Sequence, residues 1–168
     1  HSRGAKIGWL ALQADPTLGY AIASVDPVNG TGDIFTMNEV SALDKGLPVG
    51  MPSLIIGSGL GEESAGLFQP ACSPSGQNHV QFFESADSPS WHIIASDAGH
   101  LDFIDPSPAG CGFACTACVT GTNIENNLQL SMGALAAFFR GQLQGDIAAL
   151  AFLVDKSSHP ANSQVETK

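Results

Sequence analysis

His1-Ser2-Arg3-Gly4-Ala5-Lys6 opens the chain. Set behind one glycine, its first four residues would read G-x-S-x-G, the sharp strand-to-helix turn that lifts a nucleophilic serine out of a sheet. Reading outward, Tyr20-Ala21-Ile22-Ala23-Ser24-Val25 is an apolar run closed by Asp26-Pro27. Trp91-His92-Ile93-Ile94-Ala95 is another, followed by Asp97-Ala98-Gly99-His100-Leu101-Asp102. A serine, a carboxylate and an imidazole thus succeed one another, the last two just beyond predicted strands. Ser-x-Gly alone says almost nothing. With an acid and a base at strand ends behind it, it becomes a site hypothesis.

Ser, Asp, His is the order in which the α/β-hydrolase fold carries its triad, and the elements between them alternate as that fold requires. Residues 3–14, with apolar Ile7, Leu10 and Ala14 and a stop at Asp15-Pro16, predict the helix after the turn. Residues 20–25 predict a buried strand, and a loop punctuated by Gly30, Gly32, Gly46 and Pro48 fills 29–51. Ser53-Leu54-Ile55-Ile56 predicts the next strand, ending in Gly57-Ser58-Gly59-Leu60-Gly61. A short helix is expected over 78–85 and the last strand over 91–95. An amphipathic helix is expected over 127–143, presenting Leu128, Met132, Leu135, Ala136 and Phe139, and a second apolar run, helix or strand, over 147–154.

The expected class is therefore α/β, a mostly parallel sheet with helices on both faces. Several strands normally precede the nucleophile turn in this fold, so the chain reads as the C-terminal part of it. Residues 1–154 would form the C-terminal portion of a single α/β-hydrolase domain, and 155–168 a polar tail. A half-sheet alone would expose an apolar parallel edge. The N-terminal portion of the same hydrolase is accordingly expected as a separate chain or segment.

Composition narrows the partners. The 168 residues carry sixteen Asp and Glu against six Lys and Arg, a net charge of −10, which disfavours nucleic acid and anionic membrane surfaces. No apolar run approaches the roughly 18 residues of a membrane-spanning helix, so no transmembrane segment is expected.

Each candidate residue has a plainer alternative reading. Ser2 starts a helix, where serine is a common N-cap; as a nucleophile it would place the backbone N–H of Arg3 as one of two oxyanion donors, the second coming from an upstream loop. Asp26 could simply initiate a turn with Pro27. As the third member it would orient the imidazole, with Glu62 and Glu63 as alternatives. His100 stands at a strand end and suits the general base; His79 beside Phe82 and Phe83 is its rival. Cys111, Cys115 and Cys118 form a dense thiol cluster whose spacing fits no common zinc module. A disulfide pinning the loop after His100, or free thiols in a reducing compartment, is expected in place of a metal site.

Taken together, these motifs resemble the chlorophyllase family. Its G-H-S-R-G-G-K turn is similar to His1-Ser2-Arg3-Gly4-Ala5-Lys6, with Ala5 and the absent first glycine the departures. D-P-V-x-G-T matches Asp26-Pro27-Val28-Asn29-Gly30-Thr31, and G-x-G-L-G matches Gly57-Ser58-Gly59-Leu60-Gly61. C-x-P-x3-N-H-x2-F matches Cys72 through Asn78-His79 to Phe82, and D-x-G-H-x-D matches residues 97–102. The resemblance implies a serine esterase that cleaves the phytyl ester of chlorophyll with Ser2, Asp26 and His100 and needs no cofactor. It also implies a chloroplast location. The apolar substrate implies a greasy pocket, for which Leu60, Phe68, Phe82, Phe83, Phe103 and Ile104 are the candidate walls. His79 could approach the chlorophyll magnesium or make a structural hydrogen bond. A general lipase or carboxylesterase, or an esterase like platelet-activating-factor acetylhydrolase, is the alternative.

Overall fold

The computed structural model describes residues 1–30, 39–104 and 116–168. Its elements are α1 (Arg3–Ala14), β1 (Ile22–Val25), β2 (Ser53–Ser58), α2 (His79–Ser85), β3 (Ser90–Ala95), α3 (Ile124–Gln144), α4 (Ile147–Phe152) and β4 (Ser163–Thr167). The strands form one sheet in the order β1-β2-β3-β4. β1 to β3 run parallel, with Ile22 opposite Ser53 and Ser53 opposite Ser90. β4 is antiparallel to β3, pairing Val165 with Ile93.

Every residue of β2 is buried, as expected of a central parallel strand covered on both faces. Successive side chains point to opposite faces, so β2 feeds two cores. Ile55 faces Trp9 and Leu12 of α1 and Phe82 and Phe83 of α2, with the Trp9 and Phe82 rings edge to face at 4.9 Å. Leu54 and Ile56, with Ile93 and Ala95, face Leu130, Ala134, Ala137 and Phe138 of α3. Each fully buried large side chain contributes roughly 1.5–3 kcal/mol. Helices thus cover both faces of a mixed, mostly parallel sheet, in keeping with a partial α/β-hydrolase fold.

Local chemistry explains the boundaries. α1 stops where Asp15 accepts the Thr17 N–H and Pro16 begins a 3-10 turn. Asn78 starts α2 with a reciprocal capping box, its side chain accepting from Val80 while Gln81 accepts from the Asn78 N–H. α3 ends at Gly145, whose φ of 67° is the left-handed conformation that glycine adopts without strain. Among the described residues no helix is long and apolar enough to cross a membrane.

Three sequence expectations need correction. The strand over 91–95 is not the last: β4 lies in the stretch read as a polar tail, an edge strand in which Gln164, Glu166 and Thr167 face solvent. α1 buries Ala5, Trp9 and Leu12, while Ile7 is exposed. α3 buries Leu130, Ala134, Ala137, Phe138 and Gly141, leaving Met132 and Phe139 exposed. In α3 the small residues decide the face, because a side chain at Gly141 would run into Leu150 of α4.

Candidate active site

The parallel strands β1, β2 and β3 deliver Asp26, Ser58 and the turn carrying His100 to one edge of the sheet, the carboxyl end where open α/β sheets bind ligands. Ser2 meets them there. Its φ of 55° and ψ of −134° lie in a region nearly reserved for glycine. Two bonds brace it: Ser2 N–H donates to the Val25 carbonyl at 3.0 Å, and the Ser2 carbonyl accepts from Val28 N–H at 3.3 Å. The Ser2 hydroxyl makes no capping bond to α1. It faces His100 Nε2 at 3.0 Å instead, so the N-cap reading of Ser2 fails.

On the other side of the ring, His100 Nδ1 lies 2.5 Å from Asp26 Oδ2. Asp26 is fully buried and has a φ of 38°. Such a carboxylate needs donors, and Ser58 supplies two: its N–H to Oδ1 at 2.9 Å and its hydroxyl to Oδ2 at 2.7 Å. Ser58 was not among the residues expected from the sequence, although it sits in the Gly57-Ser58-Gly59 turn that ends β2. Glu62 is occupied elsewhere, accepting from Asn78 Nδ2 at 2.7 Å.

The His100 turn is stapled by the second acid of its motif. Asp102 Oδ2 accepts from Gly99 N–H at 2.7 Å and from Gly121 N–H at 2.6 Å, and a Cβ at Gly99 would collide with the Val119 carbonyl. His1 Nε2 donates to the His100 carbonyl at 2.9 Å. Arg3 N–H belongs to the first turn of α1, whose amides have no partner within the helix. The Arg3 guanidinium pairs with Glu39, which also accepts from Lys6 Nζ at 2.9 Å; those two cations hold the Glu39 carboxyl below the usual carboxylate range.

A cleft of about 320 Å³ opens beside Ser2 and His100, walled by Arg3, Val28, Gln69, Pro70, Ala71, Cys72 and Ala117. Cys72 and Cys118 form a disulfide that ties the loop before α2 to the segment after His100, so neither sulfur is free to ligate a metal. Cys111 and Cys115 lie outside the described residues. The candidate substrate-binding residues Leu60, Phe82, Phe83, Phe103 and Ile104 do not wall this cleft. Phe82 and Phe83 are core, packed with Trp9; Phe103 packs toward the α3 face, Leu60 is half-buried, and Ile104 is exposed. Phe68 is 99% exposed on the loop that leads into the cleft wall.

His79, the rival base, is buried away from the cleft. Its ring bonds His92 at 2.8 Å and the Ser58 carbonyl at 3.2 Å. Burial pushes His79 below the ordinary histidine range and His92 down to about 4.

Comparison with known proteins places the sequence in a family. The model of the family described as Chlorophyllase matches residues 1–167. Chlorophyllase-2 of Arabidopsis thaliana is 32% identical over 92% of this chain and 52% of its own length. Chlorophyllase-1 of the same plant is 28% identical over 96% of this chain and 53% of its own. For "Chlorophyllase-1, chloroplastic" of Citrus unshiu the figures are 28%, 87% and 45%. The chain therefore spans about half the length of the curated relatives it matches.

Proposed function

The chain belongs to the chlorophyllase family, and from that premise we propose that it carries the nucleophile, base and acid of a serine esterase acting on the phytyl ester of chlorophyll. The observation that supports this most is the unbroken row Ser2 Oγ, His100 Nε2, His100 Nδ1, Asp26 Oδ2, with links of 3.0 and 2.5 Å at the mouth of a cleft.

In this reading Ser2 Oγ attacks the ester carbonyl while His100 Nε2 takes its proton. Asp26 stabilises the imidazolium through the short bond to Nδ1. Charge developing on the carbonyl oxygen meets the Arg3 N–H at the positive end of α1. His100 then returns the proton to the departing phytol oxygen. Water, activated by the same ring, releases chlorophyllide from the acyl-enzyme. The relatives are about twice as long as this chain, and the N-terminal portion of the same hydrolase, as a separate chain or segment, would supply the second oxyanion donor. A chloroplast location is part of this reading, supported by the Citrus unshiu relative, whose name describes it as chloroplastic.

Chromatography of chlorophyll incubated with the full-length protein tests the reading. Chlorophyllide and free phytol should appear together, and Ser2→Ala should lower turnover by several orders of magnitude without unfolding the protein. Brisk hydrolysis of short-chain esters with chlorophyll left intact would replace the pigment esterase by a general lipase or carboxylesterase, or by one like platelet-activating-factor acetylhydrolase.

A further inference from the structure

Behind Asp26 runs a second row of polar groups that ester chemistry does not use. Ser58, which holds Asp26 with its N–H and hydroxyl, turns its carbonyl to His79 Nε2 at 3.2 Å. His79 Nδ1 meets His92 Nε2 at 2.8 Å, and His92 Nδ1 meets Glu166 Oε2 at 3.0 Å. His79 and His92 are almost fully buried, whereas the Glu166 side chain is 58% exposed on β4. The row is built in. A Cβ at Gly57 would strike the His79 ring, and Phe83 stacks on His92 at 4.8 Å.

This row is one proton short. Both of its ends, a peptide carbonyl and a carboxylate, can only accept, so its three links need three protons. Two neutral imidazoles carry two. If the ring protons point toward Glu166, His79 Nε2 presents a lone pair to the Ser58 carbonyl. If they point toward Ser58, His92 Nδ1 presents a lone pair to Glu166. Asp26, Glu62 and Glu166 favour an added proton on the rings, while burial, the mutual repulsion of the two rings and Lys168 oppose it.

We propose that Ser58, His79, His92 and Glu166 are positioning residues of the Ser2–His100–Asp26 row, and that the protons shared from Ser58 to Glu166 set how firmly Ser58 seats Asp26. The proposal rests on the esterase reading, since seating Asp26 matters only if Asp26 orients His100. When His79 Nε2–H faces Ser58, the carbonyl is anchored and both of Ser58's donors stay aimed at the carboxylate. When the lone pair faces it, two acceptors repel beside the residue that holds Asp26.

Glu166→Gln in the full-length protein separates this from a packing role. A glutamine amide can donate to His92 Nδ1, so two ring protons then complete all three links with His79 Nε2–H aimed at Ser58. NMR of 15N-histidine-labelled protein should show His79 as the Nε2–H tautomer at neutral pH in the variant and a mixture in the wild type. kcat should rise up to about threefold with KM unchanged. The acid limb of its pH profile should follow a single-proton slope, where the wild type falls less steeply because a third proton completes the row. His79→Phe, which removes the anchor, should lower kcat about tenfold at unchanged KM. Identical His79 tautomers and superimposable pH profiles in wild type and Glu166→Gln would overturn the proposal. Should the wild type cleave no ester, the esterase reading falls. The His79 tautomer and the His100 Nδ1–H proton shift, compared between wild type and Glu166→Gln, would still decide the row.

Discussion

Ser2–His100–Asp26 and Ser58–His79–His92–Glu166 are both rows of imidazole running to a carboxylate, and they differ in how their protons balance. The first has a hydroxyl at one end, which brings its own proton. Two links, one Ser2 proton and one ring proton leave every atom bonded with the ring neutral. Moving the Ser2 proton onto Nε2 keeps the Asp26 bond intact, so the row stays connected while a proton travels along it. The second row has acceptors at both ends and cannot be completed by neutral rings. A balanced row suits repeated proton transfer; an unbalanced one suits adjusting its neighbour.

The largest effect should come from breaking the balanced row. Asp26→Asn leaves an amide where Nδ1–H must be accepted, and the ring is then held in the wrong tautomer. On the esterase reading kcat should fall on the order of 10⁴-fold, the loss seen when the acid of a triad hydrolase is replaced by its amide, measured by pigment release under saturating substrate. Ordinary turnover in the Asp26→Asn protein would move the acid elsewhere and dissolve the comparison.

A smaller effect should come from the joint between the rows. Ser58→Ala removes the hydroxyl bonded to Asp26 Oδ2 at 2.7 Å, a bond to a buried charge worth about 1.5–3 kcal/mol. Denaturant unfolding should report that loss, with kcat reduced about tenfold. Unchanged stability and rate would mean that the backbone alone seats Asp26.

The smallest effect belongs to the unbalanced row and appears as acid sensitivity. Burial holds His92 at about 4 against an ordinary 6.5. Between those values the unfolded chain binds a proton that the folded chain refuses, so stability rises with pH across that window and falls as pH drops from 6.5 toward 4. The melting temperature should be lower at pH 5 than at pH 7, and His92→Phe should flatten the difference. A wild type equally stable at both values would contradict a neutral buried pair.

Much of the fold was legible because parallel strands are written as continuous apolar runs with punctuation at their ends. Residues 53–56 and 91–95 carry that signal, and so does the Asp15-Pro16 stop. Strand ends were also where Asp26 and His100 stood, which is why one edge of the sheet could be foreseen. The geometry brings both to Ser2. Helix faces were less legible: α3 is apolar on more than one side, and contact with the sheet selects Ala134, Ala137 and Gly141 for their small size, a property that hydrophobic periodicity does not register. β4 was invisible because an edge strand of Ser, Gln, Val, Glu and Thr has no apolar alternation to display. Phe82 and Phe83 were misplaced because an aromatic side chain reads the same in a core as in a pocket. Ser58 was missed because its role depends on a partner 32 residues away, joined only when β1 and β2 lie side by side.

β4 brings Glu166 to His92, and Lys168 just beyond it donates to the carbonyls of Phe83, Glu84 and Ala86 at the end of α2. A short, half-exposed edge strand is among the first elements to detach in native-state fluctuations. Detachment withdraws one anion and one cation together, so the summed charge around His92 hardly changes while its hydrogen bond and the cap on α2 are both lost. Two supports of the side that holds the acid, the Glu166 bond to His92 and the Lys168 cap on α2, therefore come and go together with one edge pairing.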